Sequence, residues 1–284
     1  MKILSRFLFA LSALSPAAFA SEDFGGFLMN HIRNGDEWKV TPWGPTIPLP
    51  RNVLNIGGVD LSISEHVLLM LIAAGLLLLV VLAGRGRKAS PSGRLSNLLE
   101  LMVIFVRDEL VKPNFGEKDT RKWLPFFLTL FFFLLTLNFI ALIPGVPAVT
   151  GNINFTATLA LLMFIMFNAA GMSRNGPIHY FTNLVPKGLP LAVLPLIAVI
   201  EFIGLFTKSF ALAIRLFANM TAGHVLILSL LGLIVAFKSV ASAAAFVPFT
   251  LFIYLIEILV AFLQAYVFTL LASLFVGMAV HQEH

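Results

Sequence analysis

The chain has no cysteine. Disulfides, thiolate metal sites and cysteine nucleophiles are thereby excluded. Charge is scarce too: Asp, Glu, Lys and Arg supply 12% of the 284 residues, about half the share of an ordinary soluble domain. Hydrophobic residues make up 59% of the chain, and mean hydropathy is +0.95. This composition points to an all-α polytopic membrane protein. The net charge of +5 is not a nucleic-acid signal, because nine of the 19 Lys and Arg lie between Arg85 and Lys122. Such clustering sets membrane topology.

Residues 1–20 read as a secretory signal: Lys2 and Arg6, then an apolar stretch from Phe7 to Leu14, then Ala18-Phe19-Ala20 as a cleavage site. A mature start at Ser21 is expected. Residues 21–65 carry six acids against three Lys or Arg, with Pro42, Pro45, Pro48, Pro50 and Gly57-Gly58. They read as an external N-terminal tail with little regular structure, in which His31 is a surface residue. Residues 66–284 form the membrane domain. Val67 to Ala83 is a first span of minimal length. Arg94 to Lys112 mixes apolar residues with Asn97, Glu100, Arg107, Asp108 and Glu109, the pattern of an interfacial amphipathic helix. Glu117 to Lys122 reads as a solvated charged segment. Leu124 to Ile143 and Phe155 to Ala170 are the next spans. Met172 to Pro190, with Arg174, His179 and Lys187, reads as a cytoplasmic loop. The positive-inside rule places Arg85 to Lys122 in the cytoplasm and the N-terminus outside.

The C-terminal pair, 189–280, is unusual. From Leu196 to Phe237 there is no proline, and forty-odd residues make about 60 Å of helix. A hydrocarbon core is only about 30 Å thick. One long helix inclined about 60° from the membrane normal accommodates this length. Lys238 to Ala245 is the expected reversal, and Pro248 to Val280 the second long helix. Five crossings result, with the C-terminus inside.

Arg215 lies near the middle of the first long helix, more than twenty residues from either end of its apolar run. An Arg at bilayer depth costs about 3 kcal/mol on insertion scales, and snorkelling relieves only residues near helix ends. Glu201, Lys208 and Arg215 are spaced by seven, so they stay on nearly one face. Asn219, four on from Arg215, shares it. On the last helix Glu257 and Gln264 are again seven apart. In an antiparallel hairpin, facing residues share an index sum. The pairs Arg215/Gln264 and His224/Glu257 have nearly equal sums, centred near residue 240 inside the turn. One register thus sets Arg215 near Gln264 and His224 near Glu257.

Arg keeps its proton at any accessible pH, so Arg215 is a gate rather than a relay. It repels cations and favours the ionised form of a carboxylate beside it. No acid shares its turn, so that carboxylate is expected on another protein. His224 and Glu257 can exchange protons and read as a relay.

At these residues the chain resembles subunit a of the F-type ATP synthase. The motif is Ala213-Ile-Arg-Leu-Phe-Ala-Asn219-Met-x-Ala-Gly223, supported by Glu257, Leu263-Gln-Ala265, Asn138 and Ile143-Pro-Gly145. The likeness runs from about Glu65 to the end. It implies two tilted helices against a ring of c subunits, each with one intramembrane carboxylate, and b subunits of a peripheral stalk as further partners. Arg215 matches the arginine that separates two offset half-channels. Asn219, His224, Glu257 and Gln264 match channel-lining positions, and Glu201 and Lys208 match positions towards the inner half-channel. Many bacterial relatives of this kind carry the acid at position 224 and the His at 257, so this chain has the pair exchanged. The resemblance implies no cofactor, no metal and no catalytic centre within the chain. With the signal sequence it implies a bacterial inner membrane.

Two other classes compete. A secondary transporter would show internal repeats and midplane helix breaks, which 196–237 lacks. A stator-type ion channel would need its own midplane carboxylate, whereas Glu257 pairs with a His.

Overall fold

A computed structural model describes residues 37–39, 46–49, 55–56, 59–60, 64–84, 94–143, 146–182, 193–237 and 240–281. The signal sequence, His31, most of the tail and the stretch 85–93 lie outside these residues.

The tail is not wholly irregular. Strands β1 (Glu37–Lys39) and β2 (Thr46–Pro48) form an antiparallel ribbon in which Trp38 faces Ile47. Strands β3 (Asn55–Ile56) and β4 (Val59–Asp60) form a second. Both are too short to be independently stable.

The rest is helical. Helix α1 (Glu65–Gly84) has 20 residues, enough for one crossing at 1.5 Å per residue. Helix α2 (Arg94–Phe105) passes into a π-helical turn, Val106–Val111, and then into α3 (Lys112–Ala141). Within α3, Gly116 adopts φ 65 and ψ −178, a conformation that glycine takes without a steric penalty. The expected break between interfacial helix and second span is therefore a kink inside a helical run. Residues 117–122 wind into α3 rather than forming a separate segment, because Glu, Lys and Arg are good helix formers. Glu117, Lys118, Arg121 and Lys122 remain exposed.

A 3-10 turn, Val149–Gly151, precedes α4 (Ile153–Asn175) and the short α5 (Pro177–Thr182). Part of the expected loop after Met172 is thus helix. Helices α6 (Leu194–Phe237) and α7 (Val240–Val280) have 44 and 41 residues, roughly 60 Å or more each. The reversal is shorter than expected, and Pro248 lies inside α7. Ala241 and Ala243 to Ala245 favour helix strongly. Pro248 removes only the bond its amide would give to Ala244. Five helical stretches among the described residues are long and apolar enough to cross a membrane.

The chain divides into two compact units. One comprises Met1–Ala74, Thr136–Asn152 and Ala218–Phe262, the other Gly75–Leu135, Ile153–Phe217 and Leu263–His284. In the second unit, Phe127, Phe131, Leu134 and Met163 are buried. In lipid, helices associate through close packing and polar contacts rather than hydrophobic burial. Helix α7 supplies both. Ala265 and Ala272 are fully buried, and a Cβ on Gly277 would lie 2.6 Å from the Asn114 carbonyl oxygen. Ser273 donates to the Leu110 carbonyl at 2.6 Å and accepts from Asn114 Nδ2 at 2.8 Å. Nearby, the Tyr180 hydroxyl donates to Asn168 Oδ1 at 3.1 Å, and burial raises the phenol above its ordinary value. Asp119 lies 3.4 Å from His281 Nε2 and 3.9 Å from Arg174, half-exposed pairs worth little individually.

In the first unit the end of α3 clamps α7. Asn138 Nδ2 donates to the Ala261 carbonyl at 3.1 Å, and the Tyr254 hydroxyl donates to the Leu142 carbonyl. These two bonds bracket Glu257.

Candidate functional site

The His224–Glu257 pairing expected from the index sums is present. His224 Nδ1 lies 3.7 Å from Glu257 Oε1, with side-chain exposures of 13% and 6%. Neither atom has a hydrogen-bond partner among the described residues. The other imidazole nitrogen, Nε2, lies 3.2 Å from the Val146 carbonyl. A carbonyl only accepts, so Nε2 carries the hydrogen. In the neutral ring, Nδ1 then presents a lone pair to the carboxyl group. One proton can sit on either side of that gap, giving imidazolium and carboxylate or imidazole and carboxylic acid. At 3.7 Å the atoms are beyond direct hydrogen-bond reach, so transfer needs a closer approach or a bridging water.

The pair is largely buried. A Cβ on Gly223 would lie 2.4 Å from Glu257 Oε1, so only glycine admits the carboxyl there. Thr221 Oγ1 donates to the Gly151 carbonyl at 3.2 Å, which ties the same helix to the 3-10 turn. The sequence reading gave neither Gly223 nor Val146 a part in this pair, and Tyr254 did not enter it. Their contributions come from long-range contacts that local spacing does not encode.

Arg215 is in the second unit and is exposed. One side of α6 is buried there: Leu212, Ala213 and Leu216 are at most 3% exposed. One turn to either side of Arg215, Ala211 and Asn219 are exposed with it, and Phe210 and Ile214, 64% and 42% exposed, lie further around the helix. Among the described residues nothing forms a hydrogen bond or ion pair with Arg215. The expected proximity to Gln264 gives no bond, and Gln264 is itself buried at 4% exposure. An index sum fixes the level of two residues along a hairpin but not the direction of either side chain around its helix axis. Lys208 Nζ lies 5.7 Å from the Phe275 ring centroid, a cation–π contact. Glu201 is half-exposed and Asn219 is exposed. Among the described residues, no three His, Cys, Asp or Glu side chains converge as metal ligands.

The family profile described as "ATP synthase A chain" matches residues 67–277. The "ATP synthase subunit a" of Chloroherpeton thalassium is 47% identical over 264 residues, 90% of this chain and 77% of that protein. The "ATP synthase subunit a 2" of Chlorobium luteolum is 43% identical over 275 residues, 94% and 79% of the two chains. That of Prosthecochloris aestuarii is 42% identical over 279 residues, 96% and 85%. The chain belongs to the ATP synthase subunit a family. The resemblance seen in the Arg215 motif is therefore a family relationship over most of the chain. As a subunit a, the chain is a multi-span membrane component of an F-type ATP synthase. The family match spans both the buried pair of α6 and α7 and the exposed Arg215.

Proposed function

We propose that this chain is the proton-conducting stator subunit of a bacterial F-type ATP synthase, with two offset half-channels facing a ring of c subunits. The observation that carries the reading is Arg215, a permanent cation exposed near the middle of a long, mostly apolar helix and unbonded among the described residues. A charge in lipid needs a counter-charge, and a carboxylate carried on a neighbouring rotor supplies one.

In this mechanism a proton from outside reaches the His224–Glu257 pair and passes to a ring carboxylate. The neutral acid can then enter lipid. After nearly a full turn another carboxylate reaches Arg215. The guanidinium favours the ionised form, and the released proton leaves inward past Lys208 and Glu201. Asn219 and Gln264 line the path. Arg215 holds its own proton throughout, so protons cannot leak straight across. Each proton crossing 100 mV contributes about 2.3 kcal/mol to rotation.

The mature N-terminus lies outside, the C-terminus in the cytoplasm, and the membrane is the bacterial inner membrane. The peripheral-stalk b subunits anchor the chain against rotation. The experiment is ATP-driven proton pumping by inverted membranes carrying Arg215→Ala. Pumping is expected to vanish while the complex still assembles. Wild-type pumping would refute the gate.

A further inference from the structure

Nine Asp, Glu, Lys or Arg residues lie between Arg107 and Lys122, and none between Trp123 and Ser173. The boundary between water and hydrocarbon therefore falls near Trp123, a residue type that favours the head-group layer. Lys122 Nζ lies 5.8 Å from the Trp123 ring centroid. Trp123 in turn stacks on buried Phe115, with ring centroids 5.5 Å apart.

A cavity of about 710 Å³ opens at this level. Arg107, Asp108 and Lys112 line it from before a bend in the chain, and Glu117, Arg121 and Leu124 from after it. Two backbone departures make the bend: the π-helical turn Val106–Val111 and Gly116 at φ 65. Turns of the first kind are frequent at functional sites.

The acids in the cavity are already neutralised. Asp108 accepts from Arg107 Nε at 2.8 Å and from Nη2 at 2.9 Å, and Glu117 lies 3.1 Å from Lys112 Nζ. Thr120 gives its hydroxyl hydrogen to the Gly116 carbonyl. Arg121 has no hydrogen bond or ion pair among the described residues, and neither has Nη1 of Arg107. Three cations against two carboxylates leave the cavity one positive charge in excess. The Arg107–Asp108 pair is exposed, and exposed pairs are weak, so the guanidinium can turn towards another anion at little cost.

The lining changes character along its length. Leu124 closes it on the apolar side, and Pro125 and Thr129 continue the exposed face of α3 one and two turns beyond Arg121. We propose that this cavity seats the head group of an anionic phospholipid, with Arg121 and the free edge of Arg107 on the phosphate and the acyl chains running past Leu124 along α3. A guanidinium presents paired donors that match phosphate oxygens. A phospholipid carries its phosphate at this depth already, whereas a free anion has nothing to place against Leu124 and Pro125. Basic pockets among membrane helices take lipid head groups by the same electrostatics.

The test uses the intact complex in phosphatidylcholine nanodiscs with a rising fraction of phosphatidylglycerol that carries a photoactivatable head group. Cross-linked residues of this chain are mapped by mass spectrometry. Saturable labelling within 107–124 is expected. Arg121→Gln should raise the half-saturating lipid fraction about fivefold. Arg107→Gln should raise it at least as much, because Asp108 is then left unneutralised. Lys118→Gln removes an exposed cation outside the cavity and should leave the half-saturating fraction nearly unchanged. Both arginines are exposed, so neither substitution opens the core, and recovery of the intact complex checks assembly. Equal shifts in Lys118→Gln and Arg121→Gln would reduce the effect to general surface charge and overturn the seat. Displacement of the label by millimolar inorganic phosphate would make it a free-anion site, which also overturns it. A third overturning result is no label within 107–124 together with release of a protein subunit by Arg121→Gln, which would assign the cavity to a protein partner.

Discussion

His224 and Arg215 stand nine residues apart on one helix, yet the chain treats them in opposite ways. Around His224 the fold is closed. Glycine at 223 makes room for Glu257, a backbone carbonyl holds Nε2, and two bonds from the end of α3 bracket the acid. Around Arg215 nothing is supplied: the charge is exposed and makes no hydrogen bond or ion pair with the described residues. The contrast separates two kinds of polar site in a membrane protein. One is preorganised within its own chain. The other, on the reading proposed above, is half a site whose electrostatics a partner completes by bringing the opposite charge.

The largest effect should come from the open half. Arg215→Gln is expected to abolish coupled proton pumping, and Arg215→Lys should restore little of it, because a compact ammonium does not reproduce a planar guanidinium. Pumping assays on inverted membranes decide this, and substantial rescue by Lys would show that bare charge suffices. Next, Gly223→Ala should force the Glu257 carboxyl out of place. Overpacking of this kind costs about 1–3 kcal/mol, and pumping should fall several-fold with the complex intact. An unchanged rate would mean that the carboxyl has room to move.

The exchange variant sharpens the comparison further. His224→Glu combined with Glu257→His should pump better than either single substitution, with a coupling of about 1 kcal/mol or more. Strictly additive losses would show that the two groups do not act together. The smallest effect belongs to the second unit's scaffold. Burial raises the Tyr180 phenol above its ordinary value of 10.0, so the folded state disfavours the phenolate. That contribution to stability is complete below the unfolded value and is lost as pH rises through the folded one. Tyr180→Phe should therefore flatten the alkaline loss of thermal stability, with pumping unchanged at neutral pH.

The long helices and the five spans were legible because apolar length is a one-dimensional property. The His224–Glu257 contact was legible because a hairpin turns sequence position into height. Direction around a helix axis was not, so the index sum alone did not say whether Arg215 and Gln264 would bond. Pro248 misled the placement of the turn, since a single missing amide bond is outweighed by the alanines before it. The charged stretch 117–122 is solvated as expected, and its helical winding went unread because solvation and helix are compatible. Gly223 and Val146 were illegible for a common reason. Each contributes through a contact with a segment distant in sequence, one by lacking a side chain and the other through its backbone carbonyl.

The Val146 carbonyl has a consequence for traffic. With Nε2–H committed to an oxygen that has no hydrogen to return, the imidazole of His224 is a room with one door. A charge carrier arriving at Nδ1 must depart by Nδ1 until the ring turns over or the connector lets go. In the proposed channel, turnover through this residue would then be limited by how often a stretch of backbone loosens its grip, and slowing that motion would throttle it without altering any ionisable group.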